Sequence, residues 1–255
     1  STNSSIGLIY ALKKIFINIK YITILYIYCL MQFKRDYFLQ KYLLINCFSV
    51  SNKTSIRNIN KLKKPYFVTF SSKFKLSIKE RLKYNCKYIS KLLIYEKKFK
   101  DEEKTNVKCR EAKNTDKNKI YKLVLNSKTY SRFYLDKNLH QKKLKKFRAE
   151  WVNGYFQKKG KRKLIVCEIK NKLKGILLLS FNKKIARIEM IMVNSTNYRK
   201  GIASSLISYT NNFYMKKINK LIAGTQEYNY AARKFYQKNN FKLINHKYYH
   251  HIYST

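Results

Sequence analysis

Apolar residues in the second half of the chain follow two different periods. Apolar positions spaced by three and four residues share one face of a helix, whereas continuous or alternating runs of β-branched and aromatic residues are typical of strands. These patterns predict helices at 115–127, 141–156, 201–216 and 229–238, and strands at 163–169, 173–181, 185–193, 220–225 and within 241–253. Antiparallel strands followed by strands that alternate with helices predict an α/β domain around a mixed sheet.

Two of the predicted strands carry further information. The residues Lys170, Asn171 and Lys172 lie between the first two strands and predict a hairpin turn. The second strand, 173–181, is apolar at almost every position. A strand of this kind is typically buried on both faces of its sheet.

The first hundred residues contain no chemical motif. The uncharged run Tyr21–Phe33 is shorter than the ~20 apolar residues that a membrane-spanning helix needs, and its isoleucines and tyrosines favour buried strands. We therefore expect no membrane span and a cytoplasmic protein. Pro65 follows a polar stretch and is predicted to end a local unit. Acidic residues cluster within 97–106, where we place a domain boundary near residue 104.

The boundary predicts two domains. Residues 1–104 would form a smaller N-terminal half domain whose function the sequence does not indicate. Residues 105–255 would form the α/β domain, in which all the candidate chemistry lies.

The formal net charge of +44 comes from 57 Lys and Arg against 13 Asp and Glu. Such an excess favours a polyanionic partner, because lysines and arginines near phosphates release counterions. However, only 10 of the basic residues are arginines, and the charge is spread evenly, with +18 on residues 1–100 and +26 on residues 101–255. An even excess of lysine favours a compositional bias, so we expect nucleic acid to bind only through non-specific electrostatics. A hydrophobic share of 45% also excludes a disordered basic tail.

The five cysteines form no CxxC pair, and their odd number and wide spacing suit neither a disulfide framework nor a zinc site. We therefore expect reduced thiols. Three histidines near the end of the chain, His246, His250 and His251, lack further ligands at metal-binding spacing, so no metal is expected.

A strand, a loop and the start of a helix follow one another in residues 192–206. The small residues Gly201 and Ala203 allow the backbone of a helix N-terminus to approach an anion closely, and its free N–H groups and macrodipole would bind a pyrophosphate. An ordinary tight turn before a helix would also explain these residues.

A second element, about 28 residues further on, supplies the context. The pair of patterns R-K-G-I-A-x-x-L, at 199–206, and N-x-x-A-x-x-x-Y-x-x-x-x-F, at 229–241, resembles the GNAT superfamily of acetyl-CoA-dependent N-acetyltransferases. The resemblance implies the GNAT fold, an α+β arrangement with a mixed, mostly antiparallel sheet and flanking helices. It also implies acetyl-CoA as co-substrate and no metal.

The resemblance assigns roles to particular residues. Tyr236 would be the general acid for the departing thiolate, since a phenol of pKa ~10 remains protonated at neutral pH. Glu189 lies where some members place a base that acts through water. Family members often carry Gln or Arg in place of Tyr198 and a second Gly in place of Ala203. The cofactor-binding residues would be Met192, Val193, Thr196, Asn197, Tyr198, Arg199, Lys200, Gly201, Ile202, Ala203, Ser204 and Asn229. Tyr236 could equally pack its helix onto the sheet, Glu189 could be a surface carboxylate, and Asn229 could cap a helix.

Further stretches resemble one branch of the superfamily, the dTDP-fucosamine acetyltransferases of enterobacterial common antigen synthesis. These stretches are residues 131–136, 151–153, 224–226 and 248–251. The implied reaction acetylates the 4-amino group of a dTDP-linked amino-deoxy sugar, with Arg132 and Tyr134 as candidate substrate-binding residues that could equally be structural. The resemblance leaves a homodimer open. Two alternatives also remain: an acetyltransferase for the N-terminus of a ribosomal protein, and a non-catalytic basic RNA-binding protein on the same fold.

Overall fold

The computed structural model describes residues 33–99, 101–156 and 162–254. The described residues divide into two compact units, one formed by those up to Tyr88 together with those from His250 onward, and one formed by those between Ile89 and Tyr249. This division falls before the boundary predicted near residue 104, and the chain returns to the first unit at His250. The run Tyr21–Phe33 lies almost wholly outside the described residues. None of the described helices is both long and apolar enough to cross a membrane.

Residues 33–85 contain three β-strands and three short α-helices. Strand β1 pairs antiparallel with β2, and β2 pairs parallel with β3, which begins directly after Pro65. Helix α3 begins with a capping box between Ser77 and Glu80, which satisfies N–H groups at its first turn. The elements are β1 (Lys34–Arg35), α1 (Tyr37–Leu43), β2 (Asn46–Val50), α2 (Lys53–Ile56), β3 (Tyr66–Ser72) and α3 (Ile78–Lys83).

His250 is the buried polar residue of greatest interest in this unit. Its imidazole is fully buried between the rings of Phe70 and Tyr88, at centroid distances of 5.7 and 5.5 Å. Burial, and then the nearby charge of Arg81, lower its pKa from 6.5 to about 4. His250 is therefore neutral at physiological pH.

The second unit is built around a mixed sheet. The order of its strands is β10, β4, β9, β8, β7, β6 and β5. The pairs β5–β6, β6–β7, β7–β8 and β4–β9 are antiparallel, and β8–β9 is parallel. The elements are β4 (Cys86–Lys98), β5 (Lys108–Glu111), α4 (Lys117–Asn126), α5 (Arg132–Leu135), α6 (Gln141–Asn153), β6 (Arg162–Ile169), β7 (Lys172–Asn182), β8 (Ile185–Val193), α7 (Ile202–Tyr214), β9 (Lys220–Gln226), α8 (Tyr230–Lys238) and β10 (Lys242–Tyr253).

Two apolar clusters cover the two faces of this sheet. Ile165, Leu177 and Leu179 belong to the cluster of α7 and α8, whereas the alternating residues Leu164 and Leu178 belong to the cluster of α4 and α6. Strand β7 is thus buried on both faces, as its apolar run predicts. The helices and strands predicted after residue 115 are all present, with ends within three residues of the prediction.

The cysteine prediction is wrong for one pair. Cys109 and Cys167 form a disulfide, with their Cα atoms 4.2 Å apart. The two residues are 58 positions apart in sequence, yet the antiparallel register of β5 and β6 sets them directly opposite each other. Spacing along the chain could not show this, because the pairing depends on which strand lies beside which. Among the described residues, Cys47 and Cys86 are free thiols, and both are buried.

Candidate active site

A cleft opens in the sheet between β8 and β9. Their parallel pairing ends where Ile188 lies opposite Ala223, although β8 continues to Val193 and β9 to Gln226. The outer edges of both strands remain paired, β8 with β7 and β9 with β4. The two inner edges therefore carry backbone groups without cross-strand partners in this ladder, and an extended ligand with amide groups could pair with them.

A β-bulge at Glu189 accompanies the opening of the cleft. Leu178 lies opposite Met190 and Leu179 lies opposite Ile188, so Glu189 is the extra residue of β8. A bulge bends a strand and reverses which residues face each side of the sheet. Ile188 accordingly packs with the α7 and α8 cluster, whereas Met190 packs on the other face.

The anion site is predicted in the loop after β8, residues 194–201. Asn194 accepts a hydrogen bond from the Thr196 N–H at 3.1 Å and shapes the short 3₁₀ turn Ser195–Asn197. Arg199 and Gly201 both have left-handed backbone, with φ of 63° and 73°. Alternation of this kind turns successive N–H groups toward one point and makes a concavity that suits an anion.

Helix α7 begins at Ile202 with uncapped N–H groups. Its first backbone hydrogen bond runs from the Ser205 N–H to the Gly201 carbonyl at 2.9 Å. No side chain among the described residues caps this end of the helix. The N–H groups of Ile202, Ala203 and Ser204 thus point out of the helix end, where its dipole favours negative charge. This arrangement fits a pyrophosphate.

Gly175 fixes the position of this helix end on the sheet. A Cβ atom on Gly175 would lie 2.6 Å from Cγ2 of Ile202 and 3.3 Å from the Met192 carbonyl oxygen. Only a residue without a side chain allows Ile202 to pack so closely on β7. Gly175 is not among the residues predicted from the sequence, although a lone glycine inside an apolar strand can indicate such a close approach.

Tyr236 lies at the closed end of the cleft. Its ring is 3% exposed and packs on Tyr95 at a centroid distance of 5.5 Å. Tyr95 pairs across the sheet with Ala223, the last residue of β9 before the strands separate. Burial, and then the nearby Tyr95 phenol, raise the pKa of Tyr236 well above its usual value. Its hydroxyl therefore keeps its proton at neutral pH.

Glu189 lies on the other face of the sheet. It accepts a hydrogen bond from the Ser180 hydroxyl at 2.5 Å. Tyr155 belongs to the cluster of α4 and α6. Burial raises the pKa of Tyr155, and the nearby charge of Glu189 raises it further. Glu189 and Tyr236 thus contact opposite sides of the sheet at the level where the cleft begins.

The two predicted substrate residues on α5 have different surroundings. The Arg132 guanidinium lies 4.6 Å from the ring centroid of Tyr249. Tyr134 instead lies beside Arg148, whose guanidinium is 5.2 Å from its ring centroid, and burial raises the Tyr134 pKa. Arg148 donates to the carbonyl oxygens of Val124 and Ser127 at the end of α4, so it has a structural role there.

Asn229 is the N-cap of α8. Its side-chain oxygen accepts a hydrogen bond from the Ala232 N–H at 3.1 Å. The predicted cap is therefore present, and a contact with the cofactor stays a prediction. Across the described residues, no group of three or more His, Cys, Asp or Glu side chains could hold a metal ion.

Comparisons with known proteins agree with this geometry. Residues 125–241 match the acetyltransferase (GNAT) family model. A conserved protein of unknown function from Staphylococcus epidermidis superposes with a TM-score of 0.60 at 13% identity, covering 82% of this chain and 85% of that chain. A GCN5-related N-acetyltransferase from Kribbella flavida gives a TM-score of 0.54 at 5% identity, with 82% of each chain covered.

A second GCN5-related N-acetyltransferase, from Sphaerobacter thermophilus, gives a TM-score of 0.51 at 11% identity and covers 81% of this chain and 73% of that chain. A search of curated protein sequences found no significant match. At these identities the solved structures establish the fold alone, which is the GNAT fold that the sequence patterns predict. The match to the acetyltransferase (GNAT) family model thus covers residues 125–241, less than half of the chain, and the fold around them is that of the GCN5-related N-acetyltransferases.

Proposed function

We propose that this protein transfers an acetyl group from acetyl-CoA to the 4-amino group of a dTDP-linked amino-deoxy sugar. The binding of acetyl-CoA is supported by the cleft between β8 and β9. The loop after β8 ends at Gly201, which has left-handed backbone and precedes an uncapped helix N-terminus. The sugar part rests on the resemblance of residues 131–136 and 224–226 to the dTDP-fucosamine acetyltransferases.

The cofactor would be held mainly by backbone groups. The N–H groups of Ile202, Ala203 and Ser204 would donate to the pyrophosphate, with Arg199 and Lys200 adding positive charge beside it. The unpaired edge of β8 at Met192 and Val193 would receive the amides of the pantetheine arm. Thr196, Asn197 and Tyr198, in the same loop, would line the cofactor site. When bound, acetyl-CoA supplies an activated acyl group as a thioester.

Two side chains would handle protons. Tyr236 would donate its phenolic proton to the thiolate that leaves, and its raised pKa keeps that proton available at neutral pH. Glu189, which faces the opposite side of the sheet, would accept through a water molecule the proton that the nitrogen loses when the neutral amine attacks the thioester. A proton donor and a proton acceptor on opposite faces suit a reaction in which two substrates enter from opposite sides.

The acceptor would bind on the face that carries α4, α5 and α6. Arg132 on α5 presents a guanidinium stacked on Tyr249, and such a pair suits a diphosphate or a base ring. The excess of positive charge over the whole chain would also speed the encounter with two anionic substrates.

The test is turnover by the full chain with acetyl-CoA and a small panel of acceptors, followed by release of the CoA thiol. The panel contains dTDP-4-amino sugars, peptides with ribosomal-protein N-termini, and RNA as a binding ligand. The proposal expects turnover with at least one sugar and saturable acetyl-CoA binding at physiological salt. Turnover with peptides alone would refute the sugar assignment. Tight, salt-sensitive RNA binding without saturable acetyl-CoA binding would refute the proposal that the protein is an acetyltransferase.

A further inference from the structure

The segment that precedes β5 is attached along one side of helix α7. Residues 101–107 contain the acidic cluster at which the sequence predicts a domain boundary. In the structure their backbone and side chains bond to four polar residues of α7. These residues are Ser205, Ser208, Asn211 and Asn212, which share one face of the helix.

The attachment is made by paired hydrogen bonds. The Glu103 N–H donates to Asn212 Oδ1 at 2.8 Å, and Asn212 Nδ2 donates back to the Glu103 carbonyl oxygen at 2.7 Å. Asn211 Nδ2 donates to the Asp101 carbonyl oxygen at 2.7 Å, and the Ser208 hydroxyl donates to the Glu103 carboxylate at 3.1 Å. Lys97 forms an ion pair with the same carboxylate and is itself buried.

The end of the segment reaches the first turn of the helix. The hydroxyl oxygen of Ser205 accepts hydrogen bonds from the N–H groups of Asn106 and Val107, at 3.3 and 3.2 Å. The disulfide at Cys109 then fastens the following strand to β6. Asn106 is thus held between two fixed points, beside the N-terminus of α7.

The side chain of Asn106 lies near Gly201, the last residue of the loop 194–201, which is called the phosphate loop below. Its Nδ2 atom lies 3.9 Å from the position that a Cβ atom on Gly201 would take. The residue is exposed. Its backbone N–H donates to Ser205 Oγ, whereas its side-chain amide donates no hydrogen bond within the described part of the chain. An exposed amide donor therefore lies near Gly201, the residue that directly precedes the uncapped N–H groups of Ile202, Ala203 and Ser204.

We infer that Asn106 is a further cofactor-binding residue, which donates a hydrogen bond from Nδ2 to the pyrophosphate of acetyl-CoA. The inference rests on the proposed function. Asn106 lies outside residues 125–241, which match the family model, so the family match does not assign it this role. Ser205 is a positioning residue, because its hydroxyl holds the backbone of Asn106 and Val107 and does not itself need to touch the ligand.

The experiment measures binding of CoA and of dephospho-CoA to the full chain by titration calorimetry. Dephospho-CoA keeps the pyrophosphate and lacks the 3′-phosphate. Asn106→Ala should raise the Kd for both ligands about tenfold, because hydrogen bonds to charged groups are among the stronger ones. Asn106→Asp should raise both values further, because a carboxylate would face the pyrophosphate. Asn182→Ala is the matched control, because Asn182 is an exposed asparagine at the C-terminal end of β7. This variant should bind both ligands as the wild type does.

A double substitution distinguishes the contact of Asn106 with the pyrophosphate from the role of Ser205, which holds the Asn106 backbone in place. Ser205→Ala should also raise the Kd for both ligands, and adding Asn106→Ala to it should have little further effect. Equal Kd values for Asn106→Ala and the wild type would overturn the inference alone. A rise for CoA but not for dephospho-CoA would place Asn106 at the 3′-phosphate and would also overturn it. A wild-type chain that binds neither ligand would refute the proposed function, and with it this inference.

Discussion

The contact beneath the phosphate loop allows a quantitative prediction for Gly175→Ala. The new Cβ atom would lie 2.6 Å from Cγ2 of Ile202, whereas carbon atoms prefer separations of about 3.5–4.0 Å. The start of α7 would have to move by about 1 Å or distort β7. The Met192 carbonyl oxygen, 3.3 Å from the same position, blocks one direction of relief.

Overpacking of this kind typically costs about 1–3 kcal/mol. We expect a fall in melting temperature of about 2–12 °C, since each kcal/mol is worth about 2–4 °C in a chain of this size. The N–H groups of Ile202, Ala203 and Ser204 would move with the helix end, so CoA affinity should fall as well. Circular dichroism during heating and calorimetric titration measure the two effects.

Gly224→Ala is the matched control for stability. Its Cβ atom would meet Leu92 Cδ1 at 3.4 Å, which is an ordinary contact, so the melting temperature should be unchanged or slightly higher. In an Ile202→Ala background, which removes the clashing Cγ2 atom, Gly175→Ala should cost less than it does in the wild type. A Gly175→Ala variant with wild-type stability and affinity would refute the argument that this glycine seats the helix.

Three further predictions address the acid, the disulfide and the buried histidine. Tyr236→Phe keeps the ring that packs on Tyr95, so CoA affinity should stay within about twofold, while kcat should fall by about 10²–10⁴; unchanged kcat would remove Tyr236 from the acid role. Reduction of the Cys109–Cys167 disulfide, or Cys109→Ser, should lower the free energy of unfolding by about 4 kcal/mol, because the bridge closes a loop of 58 residues in the unfolded chain; identical urea midpoints with and without reductant would contradict this. The pKa of His250, lowered to about 4, makes the unfolded chain bind a proton that the folded chain excludes, so stability is complete above pH 6.5 and falls as the pH drops toward 4. His250→Gln should reduce this loss in urea unfolding at pH 7.5 and 4.5, and an equal loss in both proteins would count against it.

The sequence alone predicted the helices and strands after residue 115, except the short helix α5, and it predicted the loop at 194–201; strands β4 and β5 were not predicted. Periodicity depends on local geometry, so the strand Ile185–Val193 and the helix that begins after Gly201 could be located from the order of residues. The loop is equally local, because left-handed backbone at Gly201 and the uncapped N–H groups after it are properties of consecutive residues. The Asn229 cap is a local feature for the same reason.

Only the tertiary structure decided how distant residues meet. The disulfide between Cys109 and Cys167, the packing of Tyr236 on Tyr95, and the close contact between Gly175 and Ile202 all depend on which strands and helices lie side by side. None of these contacts produces a periodic pattern of apolar residues in the sequence.

The acidic segment near residue 104 shows the difference most clearly. Its polarity resembles that of a linker, because charged residues without apolar partners usually lie between domains. In the structure those polar groups bond to a polar stripe on α7, a partner more than 90 residues away in sequence. A hydrogen bond needs only the right two atoms at the right distance, and that distance is set by the fold.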